Sequence, residues 1–570
     1  MKKRENIVII VVLIVMVIAI VGVSYAAFRF SQTGNTANTI TTGSITMTYT
    51  ESSNTISING ALPTTDKTGM VRLNEGEYFD FTVSSEIVGD VNINYEISAK
   101  EVGEGTIDGS NIKLYLTKLN DDGSEEGLMT PETYNEESSS NSYTGRPTGE
   151  MSLYTSSMNS SESNNYRLRM YVDESYNPQG DGGGLTFSVR INVYGKAGDK
   201  YVPLTTQEIL EDNELQEEKT NMFNYASNGD ILTDAYEMTT ENNPEYITTG
   251  LYSIEDEDGM SYYFRGNVDN NNVQFGEYEN DYYVYEDRYG SYYQSIESCT
   301  EANSGSADCT QVKLASAGDK MYWKIVRVNG DGSLRLIYNG TSVNPDNSDL
   351  AHSYAVGASP YNLEYHGLKY VGYTYDRDTN GTDSFIKREV DTWYKNTLGS
   401  SSYDSKVTGG RFCSDSSGYR EETTLGNVFA SFDRLGSVFG KIIGLEMQEN
   451  VTPTLKCPAT SESYGGSYRL KAGLITADEL VLAGESMGLV GNSYLNPGES
   501  GIPYWTMTPA FSSSHYIVYV WRGDDYLNYD DVYSTAININ DNVLRPVINV
   551  TTDNGFTSGD GTAETPYVIS

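Results

Sequence analysis

From residue 28 to about 197, apolar and polar residues alternate with a period of two. This is the period of a half-buried strand, because successive side chains of an extended chain point to opposite faces. Val91, Ile93, Tyr95 and Ile97 alternate with Asn92, Asn94 and Glu96, and Tyr166, Leu168, Met170 and Val172 alternate with Arg167, Arg169 and Tyr171. Leu185, Phe187, Val189, Ile191 and Val193 repeat the pattern. Each run predicts a strand with one wet face. Turn-rich segments such as Asp121-Asp122-Gly123 and Gly180-Asp181-Gly182-Gly183-Gly184 separate the runs. Residues 28–197 therefore read as an antiparallel, immunoglobulin-like β-sandwich, with the Ser/Asn-rich stretch 136–165 as a long loop.

The pattern changes over residues 198–240, where an acidic, weakly helical stretch from Thr206 to Glu218 reads as a linker. Beyond it, residues 241–570 mix strands and helices. Met321 to Val328 and Ser333 to Tyr338 flank Asn329-Gly330-Asp331-Gly332, whose Asn-Gly and Asp-Gly steps tolerate the positive φ of a tight hairpin. A second hairpin is expected from Ser534 through Asn540-Asp541-Asn542 to Val550. Asp383 is placed to cap a helix with Phe385, Ile386, Val390, Trp393 and Tyr394 at helical spacing. Thr476-Ala477-Asp478-Glu479 is a capping box before Leu480 to Ala483, with Gly484 as the stop. The fold class is mainly β, a sandwich followed by an α+β domain.

Composition narrows the function. The 570 residues are enough for about two to four domains. Asp and Glu number 79 against 38 Lys and Arg, a formal charge of −41 that would repel a phosphate backbone and argues against nucleic acid as a partner. With 3 His and 4 Cys, little is left for histidine acid–base chemistry or a Cys/His zinc cluster. Lys2, Lys3 and Arg4 precede an uncharged apolar run from Ile7 to Val23, which ends at Ser24-Tyr25-Ala26-Ala27. That is the layout of a secretory signal, cut after Ala26 or Ala27. At 17 residues the run also reaches the short limit of a bilayer span, so residues 1–27 are either a signal peptide or a retained anchor, with membrane contact confined to residues 7–23. Either way the rest is expected outside the membrane, where an even cysteine count favours disulfides, paired sequentially as Cys299–Cys309 and Cys413–Cys457.

The segment Ala27-Phe28, followed by Asn38-Thr39-Ile40-Thr41-Thr42-Gly43-Ser44-Ile45-Thr46-Met47, resembles the start of TasA/camelysin-like secreted proteins of Gram-positive bacteria. The resemblance covers about 25 residues and implies processing by a dedicated signal peptidase, an extracellular or cell-surface location and, in some members, biofilm-matrix fibres built by donating the first strand to the next subunit. Self-assembly through the N-terminal strand is the corresponding partner expectation. A second resemblance covers most of residues 246–570, on Tyr322-Trp323-Lys324-Ile325-Val326-Arg327-Val328, Val390-Asp391-Thr392-Trp393-Tyr394-Lys395-Asn396, Trp505-Thr506-Met507-Thr508-Pro509 and Leu544-Arg545-Pro546-Val547-Ile548-Asn549. These are similar to uncharacterised exported proteins of gut Firmicutes. The Trp505-to-Pro509 and Leu544-to-Asn549 segments resemble C-type-lectin-like or formylglycine-generating-enzyme-like modules. The close reactive cysteine pair of the latter is missing here, so its oxidase activity is not implied.

Chemistry-bearing motifs are few. Asp376, Asp378, Asn380 and Asp383 reproduce the first half of a calcium loop, in which alternating oxygens converge on one ion, but Lys387 stands where a bidentate Glu is needed. A solvated turn and a calcium site are both open there, and no other cofactor is implied. Tyr282, Tyr283, Tyr285, Tyr289, Tyr292 and Tyr293 offer flat faces for sugars or simply strand surface, and Tyr504, Trp505 and Trp521 are candidate ligand contacts beside the lectin-like core. Arg522-Gly523-Asp524 forms an RGD triplet or a hairpin turn. His352, His366 and His515 lack a recognisable nucleophile partner, so no catalytic residue is assigned. The expectation is a non-enzymatic surface protein for adhesion, ligand display or matrix structure, meeting a glycan or a host or bacterial surface protein. The alternative is an extracellular glycan-acting hydrolase.

Overall fold

The structure is a computed structural model. It describes residues 29–569 except 34–37, 43–44, 52–55, 60–62, 73–77, 88–91, 104, 121–124, 159, 178–185, 199–203, 219–222, 224–248, 306–307, 365–366, 376–380, 418–419, 423–425, 436–451, 458–465, 486–492, 496–501, 513–517, 524–533, 537–541 and 552–554. Ala26, Ala27, Val91, Leu185, Asp376, Asp378, Asn380, His366, His515 and Asp524 lie outside the described residues. The chain divides into two compact units, Met1–Tyr201 and Val202–Ser570.

The first unit is a sandwich of two antiparallel sheets, as the alternating pattern predicts. Its strands are β1 (Arg29–Thr33), β2 (Asn38–Thr42), β3 (Ile45–Glu51), β4 (Ile56–Asn59), β5 (Tyr78–Ile87), β6 (Asn92–Glu101), β7 (Ile112–Leu119), β8 (Glu125–Gly127), β9 (Glu132–Thr133), β10 (Met151–Met158), β11 (Glu162–Val172) and β12 (Thr186–Gly198). One sheet runs β1-β12-β6-β10, with β4 also on β12, and the other runs β2-β3-β5-β11-β7-β8, with β9 on β7. Ile93, Tyr95 and Ile97 of the first sheet and Tyr166, Leu168 and Met170 of the second fill one core. Within it the Tyr95 and Tyr166 hydroxyls meet at 2.6 Å, so each satisfies the other where water is excluded. The N-terminal strands pair inside this unit, β1 with β12 and β2 through β3 with β5, and so complete its own sandwich.

The expectation of one wet face per strand fails on β6, where Asn94, Glu96 and Ser98 are as buried as the apolar side. The reason lies in the stretch expected to be a loop. Residues 136–150 fold over this face, and β10 and the start of β11 occupy the remainder. The cover is held by Arg146, which is only 3% exposed and pairs with both Glu96 and Glu137. Thr144 Oγ1 donates to the second oxygen of Glu96 at 2.6 Å, and Glu150 accepts from Ser98 Oγ and from Tyr194 OH. On the other sheet, Arg169 is buried by ion pairing with Glu125 and by donating to the Arg72 carbonyl, and the Tyr171 hydroxyl donates to Asp66.

In the second unit, helix Leu204–Asp212 belongs to the domain and not to a linker. Ile209 is fully buried in its core, Thr206 Oγ1 donates to the Gly332 carbonyl, and Tyr567 OH donates to Asp212. Two large sheets follow. One runs through Gly250–Glu255, Met260–Arg265, Lys320–Val328, Leu334–Tyr338 and Val547–Val550, and the other includes Tyr282–Asp287, Cys309–Ala315 and Tyr504–Ser512. Lys320–Val328 and Leu334–Tyr338 form the predicted hairpin, with Asn329 N–H donating to the Ser333 carbonyl and Gly332 at φ 88°. Among the described residues, which leave out Asn540 and Asp541, the second predicted hairpin is not formed: Ser534–Ala536 pairs with Val518–Gly523, whereas Val547–Val550 pairs with Leu334–Tyr338 in the other sheet. Helix Phe385–Asn396 is capped by Ser384, not Asp383. Helix Ala477–Ala483 has the predicted capping box and ends at left-handed Gly484. Both disulfides take the sequential pairing.

Arg146→Ala leaves Glu96 buried without its guanidinium and should destabilise the first unit by on the order of 3–5 kcal/mol. Calorimetry of the full chain should show the corresponding transition falling while that of the second unit stays in place. An unmoved first transition would remove Arg146 from its role in covering the sheet.

Candidate functional site

The hairpin places Arg327 directly opposite Arg335, and both side chains are buried. Two guanidiniums so close need an anion, and Glu479 supplies it. As the third residue of its capping box, Glu479 has its carboxylate turned back toward Thr476, whose N–H donates to Oε2 at 3.0 Å. Its Oε1 meets Arg335 Nε at 2.5 Å and Arg327 Nε at 3.1 Å. Arg335 also lies 4.1 Å over the Phe412 ring. Asp256, in the turn after Gly250–Glu255, accepts from Arg327 Nη1 at 3.0 Å and from Gly330 N–H at 2.8 Å. A Cβ at position 330 would collide with Asp256 Oδ1 and the Gly259 backbone, so this turn needs glycine.

A second cluster lies alongside. Arg434 bridges Asp415 and Asp478, and the Thr454 N–H donates to Asp478 Oδ1 at 2.9 Å. The Cys413–Cys457 disulfide ties strand Gly410–Ser414 to the segment carrying Thr454. Arg411 meets Asp258 at 3.3 Å, Arg469 meets the same carboxylate at 3.5 Å, and Lys456 pairs with Glu255 at 2.9 Å. Most of these groups line one cleft, with the disulfide in its wall, while Glu255 and Arg469 stand outside its lining.

Electrostatics follow from burial and pairing. Desolvation alone would raise Glu479, but Arg335 and Arg327 outweigh it and hold the carboxyl below its usual range. Burial pushes Arg335 down to about 10, against the opposing pull of Glu479. Desolvation raises Asp478 despite Arg434, whereas Asp478 and Asp415 hold Arg434 above its usual value. The inner wall is thus a set of charges already matched to one another. Among the described residues, no group of three His, Cys, Asp or Glu is placed to hold a metal.

The ligand contacts expected from sequence lie elsewhere. Tyr504 and Trp505 are fully buried core residues. Trp505 Nε1 donates to the Ser359 carbonyl at 2.7 Å and its ring meets Tyr361 edge-on, while Tyr504 packs against Tyr354 and under Arg545. Trp521 lies on strand Val518–Gly523, with its side chain outside the described set. It is Thr508, farther along the strand that carries Tyr504 and Trp505, that lines the cleft. Of the tyrosine cluster, Tyr282 and Tyr293 are buried and only Tyr283 and Tyr289 are exposed. Of the calcium-loop residues, Asp383 is described, exposed and paired with Lys387 at 3.3 Å. His352 pairs with Asp349 on the surface, which raises its pKa. No protein-family model matches this chain, and no curated protein matches it.

Outside the cleft, one buried acid stands out. Glu389, on helix Phe385–Asn396, is fully buried and accepts from the Gln294 N–H at 2.7 Å. Burial pushes its carboxyl up to about 7, against opposing hydrogen bonds from Ser298 and Gln294. The folded acid therefore keeps its proton through a range in which the unfolded one, near 4.5, has lost it. Stability should fall as pH rises between these values, by on the order of 3 kcal/mol in total. Glu389→Gln, which mimics the protonated form, should flatten that slope and raise the denaturation midpoint at pH 8, and equal pH profiles for the two proteins would refute the assignment.

In the cleft, Glu479→Ala leaves two guanidiniums facing each other and should cost on the order of 3–5 kcal/mol. Urea unfolding of the full chain should register this loss in the second unit alone. A variant as stable as the parent would mean that solvent already screens the pair.

Proposed function

We propose that this chain is an exported, non-enzymatic binding and display protein of a Gram-positive cell surface or its surroundings. The sandwich acts as carrier, and the second unit takes a ligand in the cleft beside Cys413–Cys457. The observation that carries this reading is the cleft itself, in which Arg327, Arg335 and Arg434 are already neutralised by acids fixed on other elements. Such charges form a preorganised polar surface, and rigid polar groups are what a binding site needs for specificity. The two disulfides support an oxidising location, and no helix among the described residues is long and apolar enough to cross a membrane. Because β1 to β3 pair within their own unit, display by a self-contained carrier is better supported than fibre assembly by strand donation. A glycan or a surface protein is the partner class that fits an extracellular display role.

The test is an array of glycans and surface proteins probed with the full mature chain, beside an Asp258→Asn variant altered at the cleft mouth. The parent should be retained on at least one ligand class without altering it, and the variant should be retained less. Release of reducing sugar from the array would instead favour the hydrolase reading.

A further inference from the structure

Glu389 ties two helices together without an ion-pair partner. It is fully buried on helix Phe385–Asn396, and its close hydrogen bond comes from the Gln294 N–H, just ahead of helix Ile296–Ala302. Its neighbour Arg388 pairs with Glu301 instead, and among the described residues no cation pairs with Glu389 itself. An ionised carboxylate so placed would carry an unmatched charge in a low dielectric. The closed arrangement of the two helices therefore favours the protonated acid, as the upward shift of Glu389 by burial also indicates.

The second observation concerns what this tie holds. Helix Ile296–Ala302 stays outside the large core of the second unit: of its residues only Cys299 is buried, in a small separate cluster with Tyr293 and Phe385. Ile296, Glu297 and Glu301 are exposed. The Arg388–Glu301 pair is nearly half exposed and contributes little. Beyond the helix end, Asn303 Nδ2 donates to Asp287 at 3.1 Å. The Cys299–Cys309 disulfide fastens the helix to Cys309–Ala315, the outermost strand of its sheet. A segment with so few buried contacts opens at small cost, and the disulfide keeps it tethered when it does.

The groups around Glu389 leave this sign unchanged. Tyr282 and Tyr293, from the neighbouring strands, are pushed above the usual tyrosine range by desolvation and keep their protons. Arg388 favours the charged form of Glu389 and Glu301 opposes it, each by less than burial does. Desolvation would raise Asp287, but hydrogen bonds from Asn303, Ser291, Tyr289 and Tyr293 hold it below its usual range, so it stays ionised. We propose that helix Ile296–Ala302 is a pH-sensitive strap, closed on helix Phe385–Asn396 while Glu389 carries its proton and released, on its disulfide tether, when Glu389 loses it. Opening lets the carboxyl reach water. The closed form is thus fully favoured below pH 4.5 and loses its advantage as pH rises to about 7, the open population growing about tenfold per pH unit between these values.

Hydrogen–deuterium exchange of the full chain, read by mass spectrometry and corrected for the intrinsic pH dependence of exchange, tests this. Between about pH 5.5 and about pH 7.5, amides of helix Ile296–Ala302 should lose protection by about tenfold or more. At both pH values they should be less protected than strand Lys320–Val328, which marks an opening short of global unfolding. Glu389→Gln, which mimics the protonated acid, should abolish the pH effect. His352 also titrates near neutrality, but a change that it caused would persist in this variant. Should the variant not fold, the parent alone decides: its loss of protection should level off above about pH 7, where Glu389 is ionised in both forms. Helix protection that does not change with pH, that changes equally in Glu389→Gln, that matches the core strand throughout, or that keeps falling above the plateau would overturn the proposal.

Discussion

The second unit depends on one carboxylate. Glu479 lies between two guanidiniums that the hairpin register forces together, and its own position is set by the helix cap it completes. Hairpin register and helix start are therefore coupled: a slip of one residue in either would leave a buried charge unmatched. An ion pair of this kind adds little net stability over a well-packed apolar cluster, because desolvation offsets most of the Coulomb gain. What it supplies is selectivity among packings, since every alternative leaves a charge stranded in a low dielectric. Asp256 extends the same constraint to the turn at Gly330, and Arg434 with Asp415 and Asp478 extends it toward the disulfide.

The sandwich follows the same rule with different parts. Arg146 on the covering segment finds Glu96 on β6, and that pair, together with Thr144 and Glu150, converts what would be a wet face into a second buried layer. Arg169 does the equivalent on the opposite sheet through Glu125. In a chain with twice as many acids as bases, arginine is the side chain that lets a carboxylate be buried at all, because its fork engages two oxygens and it stays charged. The apolar cores between and behind these layers supply the bulk driving force. The arginines decide which polar segments can lie on top of them.

This arrangement bears on function through rigidity. The cleft has walls drawn from a hairpin, a turn, two helices and a disulfide-tied segment, each held by a charge on another element. A wall so held has little left to order, so a ligand that bound there would meet less ordering cost. The same mutual neutralisation ties up the buried carboxylates and guanidiniums with one another.

The class of the fold, its sandwich strands and the capping box at Thr476 were legible in the sequence, because each depends on neighbours within a few residues: alternation, turn residues or a capping pair. The Asn329 turn was legible for the same reason, from residues that accept positive φ, whereas the disulfides were legible from an even cysteine count and sequential pairing. Three things required the tertiary structure. Residues 136–165 read as loop because the polarity of 136–150 is compensated largely by Glu96, Ser98 and Tyr194, 44 to 52 positions away along the chain. Tyr504 and Trp505 read as ligand contacts because an aromatic side chain carries no local sign of whether it faces solvent or core, and Trp505 finds its partner in the Ser359 carbonyl, 146 residues earlier. The cleft itself joins Asp256, Arg327, Arg335, Arg434 and Glu479, and no local rule brings together charges so far apart in sequence. Periodicity and turn chemistry are local, whereas charge compensation in a buried site acts through space, so only the packed chain shows which acids meet which arginines.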